Sequence, residues 1–221
     1  MDGHNLTLKG LKFIIIGYTL LFVSSGLALA LSVGYISPEI SRFVLFLGII
    51  SLVSLAIIYY GIKNIYKGNK EFSEEHEKNT LIAKKLVTFG IIFYIISLFV
   101  VSILIFPLIR SDFSFIINIY QILLFIPFWL ALVFLIKGIS NDTIVKLLWF
   151  AFFSRLILFL ISRVSYEIGE SLNIVSDTDY SFVYIVAIIA MIPSLIFIYC
   201  YHSTYIDIKI SEITNKQNLG L

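Results

Sequence analysis

Cysteine is almost absent from this chain. One thiol, Cys200, cannot close an intrachain disulfide, so no oxidative staple contributes to the fold. It falls near the end of an apolar run and reads as a small buried or lipid-facing side chain, with S-palmitoylation as the lesser alternative. Charge is scarce as well. Asp, Glu, Lys and Arg make up 14% of the residues, against about 25% in soluble domains. The net charge is only +2 and no basic cluster interleaves with aromatics, which argues against a nucleic-acid partner. The three histidines, His4, His76 and His202, fall outside or at the edge of the apolar segments, which excludes paired axial haem ligands within a membrane. His76 lies between Glu75 and Glu77, but one flexible acidic stretch is a poor metal ligand set. A phosphate-binding glycine loop, a cysteine pair, an HExxH helix and a serine nucleophile with a buried base are all missing. No catalytic residue, metal site or cofactor is therefore assigned, and the chain reads as non-enzymatic.

What is abundant is apolar surface. Hydrophobic residues reach 59%, where globular domains average about 45–50%. One core cannot enclose that much, and lipid is the solvent that accommodates it. Six apolar stretches of about 20–26 residues are each long enough to cross a hydrocarbon layer ~30 Å thick. They run over Leu11–Ile36, Phe43–Ile65, Leu86–Ile109, Phe115–Ile136, Thr143–Val164 and Phe182–Tyr201. The expected fold is an all-α, six-span bundle forming one transmembrane domain over residues 1–221, with a cytoplasmic loop at 66–85 and a cytoplasmic tail at 202–221.

Charge orients the bundle. With the N-terminus on one side, that side holds all twelve lysines, from Lys9 and Lys12 through Lys209 and Lys216. The other side holds only Arg42, Arg110 and Arg163. Positive charge stays in the cytoplasm, so both termini are expected there and the protein in the cell membrane. Ala28-Leu29-Ala30 resembles a signal-peptidase site, but the apolar run around it is longer than a signal h-region of about 7–15 residues, and the first span is expected to be retained. Trp129 and Trp149 fall toward the cytoplasmic interface, where amphipathic rings collect.

Local signals fill in the rest. The outer connectors around Ser37-Pro38, Ser111-Asp112 and Ser176-Asp177 put Ser or Asp just before an apolar helix, as capping requires, and Pro38 suits a first helical position. Three such hairpins fit an internal triplication or convergent capping, and capping is the simpler account. The segment Lys63 to Lys85 reads as a short solvated helix or two protruding helix ends, with Glu74 and Lys78 spaced for an i,i+4 pair. The tail around Ile206, Ile208, Ile210 and Ile213 has both strand and helix periodicity. Pro107, Pro127 and Pro193 are candidate kinks.

Two constellations stand out. Arg155 lies about 18 Å into span five, close to the midplane, at an insertion cost of roughly 2.5–3.5 kcal/mol. No Asp or Glu falls in a hydrocarbon segment to pair with it. Ser154-Arg155 recurs as Ser162-Arg163, placing both arginines on one face with Phe159 and Glu167, and Glu167 can pair with Arg163. Asn118, Gln121, serines and tyrosines are the neutral groups within range of Arg155, the first two lying nearer the outer half. Arg155, Ser154 and Arg163 thus form a candidate contact for an anion, a lipid headgroup or an acidic partner, and the alternative is a snorkelling arginine bonded to neighbouring hydroxyls and carbonyls. Gly26, Ala30 and Gly34 recur every four residues, a spacing that packs helices within the bundle or joins two copies.

The stretch from Gly48 to Gly68, ending Gly61-Ile62-Lys63-Asn64-Ile65-Tyr66-Lys67-Gly68, resembles small, uncharacterised six-span membrane proteins of thermophilic archaea. The resemblance covers a minor part of the chain and carries across no functional residue. The function expected is that of a membrane-embedded component or partner of a larger assembly. Its partners are the lipid bilayer and other membrane subunits or copies of itself. A small transporter or channel using Arg155 is the alternative.

Overall fold

The computed structural model describes residues 3–32, 38–100, 126–171, 185, 188–189 and 191–218. These residues are helical, with no strand among them. The helices are α1 (Gly3–Ser32), α2 (Pro38–Gly68), α3 (Glu74–Val100), α4 (Ile126–Ile136), α5 (Asp142–Ser171) and α6 (Ile192–Asn218). A 3-10 turn, Asn69–Glu71, joins α2 to α3. Among the described residues one segment, Gly3–Ser24 of α1, is long and apolar enough to cross a membrane.

Several boundaries differ from the sequence expectation. The segment expected as a loop at 66–85 is mostly helix, because Ser73 starts α3 at once. Its Oγ accepts the His76 N–H at 3.1 Å and its carbonyl accepts the Glu77 N–H at 3.0 Å. Glu74, Glu75 and Glu77 then fill the first turn, where the helix dipole favours negative charge. The reading of two protruding helix ends is the one that fits. The tail is likewise helical, since α6 continues to Asn218 without a break. Pro38 opens α2 as its conformation suits. Asn141 caps α5 by accepting the Ile144 N–H on its Oδ1 at 2.9 Å. Next to Pro193, Met191 is a turn residue whose N–H donates to the Ile188 carbonyl at 3.0 Å, and α6 begins at Ile192. Pro127 falls in the first turn of α4 as described, and Pro107 lies outside the described residues.

The tightest contact is between α1 and α2, which run antiparallel. Small residues recur every seven positions on each: Gly3, Gly10 and Gly17 on α1, Ser54, Gly61 and Gly68 on α2. A Cβ on Gly10 would stand 2.6 Å from the Gly61 carbonyl oxygen, and one on Gly61 would stand 2.7 Å from the Gly10 oxygen. The two backbones therefore touch, which no larger side chain permits. A seven-residue repeat keeps such a seam in register along a near-antiparallel pair. Gly26 packs separately, against Met191 Cε. The Ala30 side chain and Gly34 lie outside the described residues.

α6 lies against α1 through the stacked rings of Tyr18 and Phe197, 5.7 Å apart, and against α4 through Tyr201, whose hydroxyl donates to the Leu132 carbonyl at 2.5 Å. Cys200 is fully buried there, facing the Ile144 carbonyl. α3 meets α4 where Gly90 makes room for Phe128.

Candidate functional site

Arg155 is half-buried among α4, α5 and α6. Its guanidinium carbon stands 4.6 Å from the centroid of the Trp129 ring, and Nη1 donates to Ser194 Oγ at 3.2 Å. Helix geometry explains the encounter. Side chains tilt toward the helix N-terminus. α5 begins beside the α4–α5 turn, so Arg155 reaches back toward that turn. Trp129 lies about 10 Å above it on α4 and Arg155 about 20 Å above it on α5 at 1.5 Å per residue, a gap that the long side chain narrows. Ser194 is the residue after Pro193, so the turn at Met191 sets the level of the hydroxyl that Arg155 uses.

The neutral hydroxyl partner matches the sequence expectation in kind. Trp129 is buried, and its face is the platform for the cation, a partner that the sequence did not point to. A desolvated cation–π contact is worth about 2 kcal/mol and a hydrogen bond from a charged group about 1.5–3 kcal/mol. Together they offset the cost of taking the charge out of water. Ser154 is half-buried next to Arg155, while the side chains of Arg163, Phe159 and Glu167, together with Asn118 and Gln121, lie outside the described residues. Trp149 packs on Phe134, Phe152 and Phe153.

A second polar cluster, which the sequence reading missed, closes the end of the bundle where α2 turns into α3. His76 has no solvent exposure. Its Nδ1–H donates to the Lys137 carbonyl at 3.3 Å, and Asn79 Nδ2 donates to the same oxygen at 3.4 Å. Ser73 Oγ donates to the Gly138 carbonyl at 3.4 Å, and Lys137 Nζ stands 3.7 Å from Glu75 Oε1. Gly138 has φ +95°, and a Cβ there would press on the His76 backbone at 2.9 Å, so glycine is required twice over. Because the carbonyl can only accept, the imidazole carries its proton on Nδ1, and buried Nε2 has no hydrogen-bond partner among the described residues. Phe72 lies between His76 and His4, with ring centroids 5.3 Å and 4.4 Å away. The ion pair of this region is Lys137–Glu75, not the i,i+4 pair expected between Glu74 and Lys78. Those two residues instead line a shallow open depression with Glu77 and Leu81. Among the described residues no group of three or more His, Cys, Asp or Glu could hold a metal ion.

Compared with known proteins, the chain matches no family model, no curated protein and no solved structure.

Proposed function

We propose that this chain is a six-span integral protein of the cytoplasmic membrane, both termini cytoplasmic, working without catalysis as a membrane-embedded component or partner of a larger assembly. One observation carries the reading: large apolar side chains stand exposed along the lengths of several helices, beyond what a surface in water carries. Large apolar side chains stand exposed on α1 (Ile16, Val23), α2 (Ile49, Val53), α3 (Phe89, Ile92), α5 (Phe150, Phe153, Ile157) and α6 (Ile192, Leu195), while Thr7, Ser54, Asn64, Asn69, Asn79 and Thr80 are buried. In water, each large apolar side chain left exposed forgoes about 1.5–3 kcal/mol of burial; in lipid it costs nothing. α2, α3, α5 and α6 have 31, 27, 30 and 27 residues, each longer than the ~20 that a crossing needs.

Arg155 favours an assembly role over transport. Its charge is met within the chain by Trp129 and Ser194, which is how a structural arginine is held. The test combines two readouts on protein purified from membranes in mild detergent: melting temperature and mass spectrometry of co-purifying subunits. Arg155→Leu is expected to melt within about 1 kcal/mol of wild type, since the charge and its cost leave together. Arg155→Lys keeps the charge but loses the planar contact on Trp129, and is expected to be the less stable of the two. Both should retain the same co-purifying subunits. Loss of a bound anion or subunit in Arg155→Leu, at unchanged stability, would support the transporter or channel reading instead.

A further inference from the structure

Along α2, Tyr59, Lys63 and Tyr66 are spaced i, i+4 and i+7 and so share one helical face, with Lys67 beside it. The Asn69 Nδ2–Thr80 Oγ1 hydrogen bond, 2.6 Å long, fixes the register of α3 against α2. Counting outward from that bond brings Lys84 level with Tyr66, and the Lys84 ammonium stands 4.3 Å from the Tyr66 ring centroid. Lys63, one turn before Tyr66 on α2, and Lys84 on α3 thus flank one half-buried tyrosine, both lysines exposed. Neither is paired with a carboxylate among the described residues. Like charges held together without counter-charge repel, and an anion placed between them removes that cost.

The surface beyond the lysines changes abruptly. Within about two turns further along the same faces of the two helices, it is Leu55 and Tyr59 on α2 and Ile91 on α3, all exposed. A cationic step over a tyrosine, continuous with a bare apolar wall, matches an amphiphile in both halves.

We propose that this α2–α3 face binds an anionic phospholipid, its headgroup phosphate on Lys63 and Lys84 beside Tyr66 and its acyl chains along the apolar wall. The inference rests on the membrane reading above. A soluble acidic ligand would use the lysines but leave the wall bare. The wall therefore selects the lipid.

The test measures insertion and headgroup preference separately. Flotation with phosphatidylcholine vesicles reports insertion. Native mass spectrometry in non-ionic detergent then compares retention of phosphatidylglycerol and phosphatidylcholine with identical chains, with inorganic phosphate in millimolar excess as a competitor. Each lysine at an anionic surface is worth about fivefold in affinity. Lys63→Gln/Lys84→Gln should therefore lower phosphatidylglycerol retention by roughly 25-fold while floating like wild type. Lys146→Gln/Lys209→Gln, the same charge change elsewhere at this end, should retain the lipid as wild type does. Equal loss in both double variants, no loss in the first, or displacement of the lipid by phosphate alone would overturn the site. Flotation without headgroup preference removes this inference only. Failure of wild type to float removes the membrane reading and this inference with it.

Discussion

His76 shows how far a residue's environment can depart from its sequence neighbours. Glu75 and Glu77 on either side are exposed, and the run from Lys70 to Lys78 reads as a solvated charge stretch. The helix starting at Ser73 turns His76 alone inward, under the Gly138 turn, and nothing in the local charge pattern announces that. Burial pushes the imidazole below its ordinary value of 6.5, and the bond to the Lys137 carbonyl opposes this more weakly. The sign follows from linkage. A histidine whose folded pKa is depressed contributes its full stability above the unfolded value and loses it as pH falls toward the folded one. Melting temperature should therefore drop as pH is lowered from about 7.5 to about 5.5. His76→Gln keeps a donor for the Lys137 carbonyl and has nothing to titrate, so its melting temperature should vary less over that range. Identical pH profiles for the two proteins would show that His76 does not govern the acid sensitivity. Arg155 was legible in a different way. Its cost and its need for neutral partners were readable from span five alone. Trp129 was not, because its position seven residues before the helix end suits an interfacial ring as well as a buried platform.

Among elements, the α1–α2 pair carries the sharpest geometric demand. Its repeat was present in the sequence as Gly3, Gly10 and Gly17 facing Ser54, Gly61 and Gly68. The four-residue spacing at Gly26, Ala30 and Gly34 is the more conspicuous pattern, that of close right-handed crossings, whereas Gly3 and Gly10 precede the expected start of span one. The seam extends below that start, since α1 begins at Gly3 and α2 ends at Gly68. Gly10→Val should destabilise the protein by about 1–3 kcal/mol, because its Cβ would meet backbone at Gly61, which cannot swing aside. Gly26→Ala should be near neutral: among the described residues its Cβ would meet only the flexible end of Met191, 3.0 Å away. Thermal unfolding of the two variants in one detergent checks both. A tolerated Gly10→Val would mean that α1 and α2 are held apart by more than the seam implies. The helical character of the described residues was readable except in the tail, where strand and helix periodicity competed, and Pro38 opens α2 as its missing N–H predicts. Boundaries were not, because the 66–85 segment and the tail are helices stabilised by caps and packing instead of by apolar runs.

At the scale of the whole molecule, the proposed membrane placement stands on the large apolar side chains exposed on α1, α2, α3, α5 and α6 in addition to a buried apolar core, and on the lysines at one end. That end is recognisable in the structure, where Lys9, Lys12, Lys63, Lys84, Lys137 and Lys209 are distributed over α1, α2, α3, the α4–α5 turn and α6. The proposed lysine asymmetry comes from the sequence alone, since it needs only span order and charge counting. The polar closure around His76 and the lysine–tyrosine face between α2 and α3 were not, because both depend on the register of α3 against its neighbours. The most direct test of the account is the topology itself. Cys200 is fully buried and can be removed as Cys200→Ala, giving a background free of thiols. Single cysteines are then introduced as Lys70→Cys and Asp177→Cys and labelled in intact cells and in inverted vesicles with a membrane-impermeant maleimide. The account predicts that the cysteine at position 70 reacts only from the cytoplasmic face and the one at 177 only from the outer face. Labelling of both from the same side would contradict it.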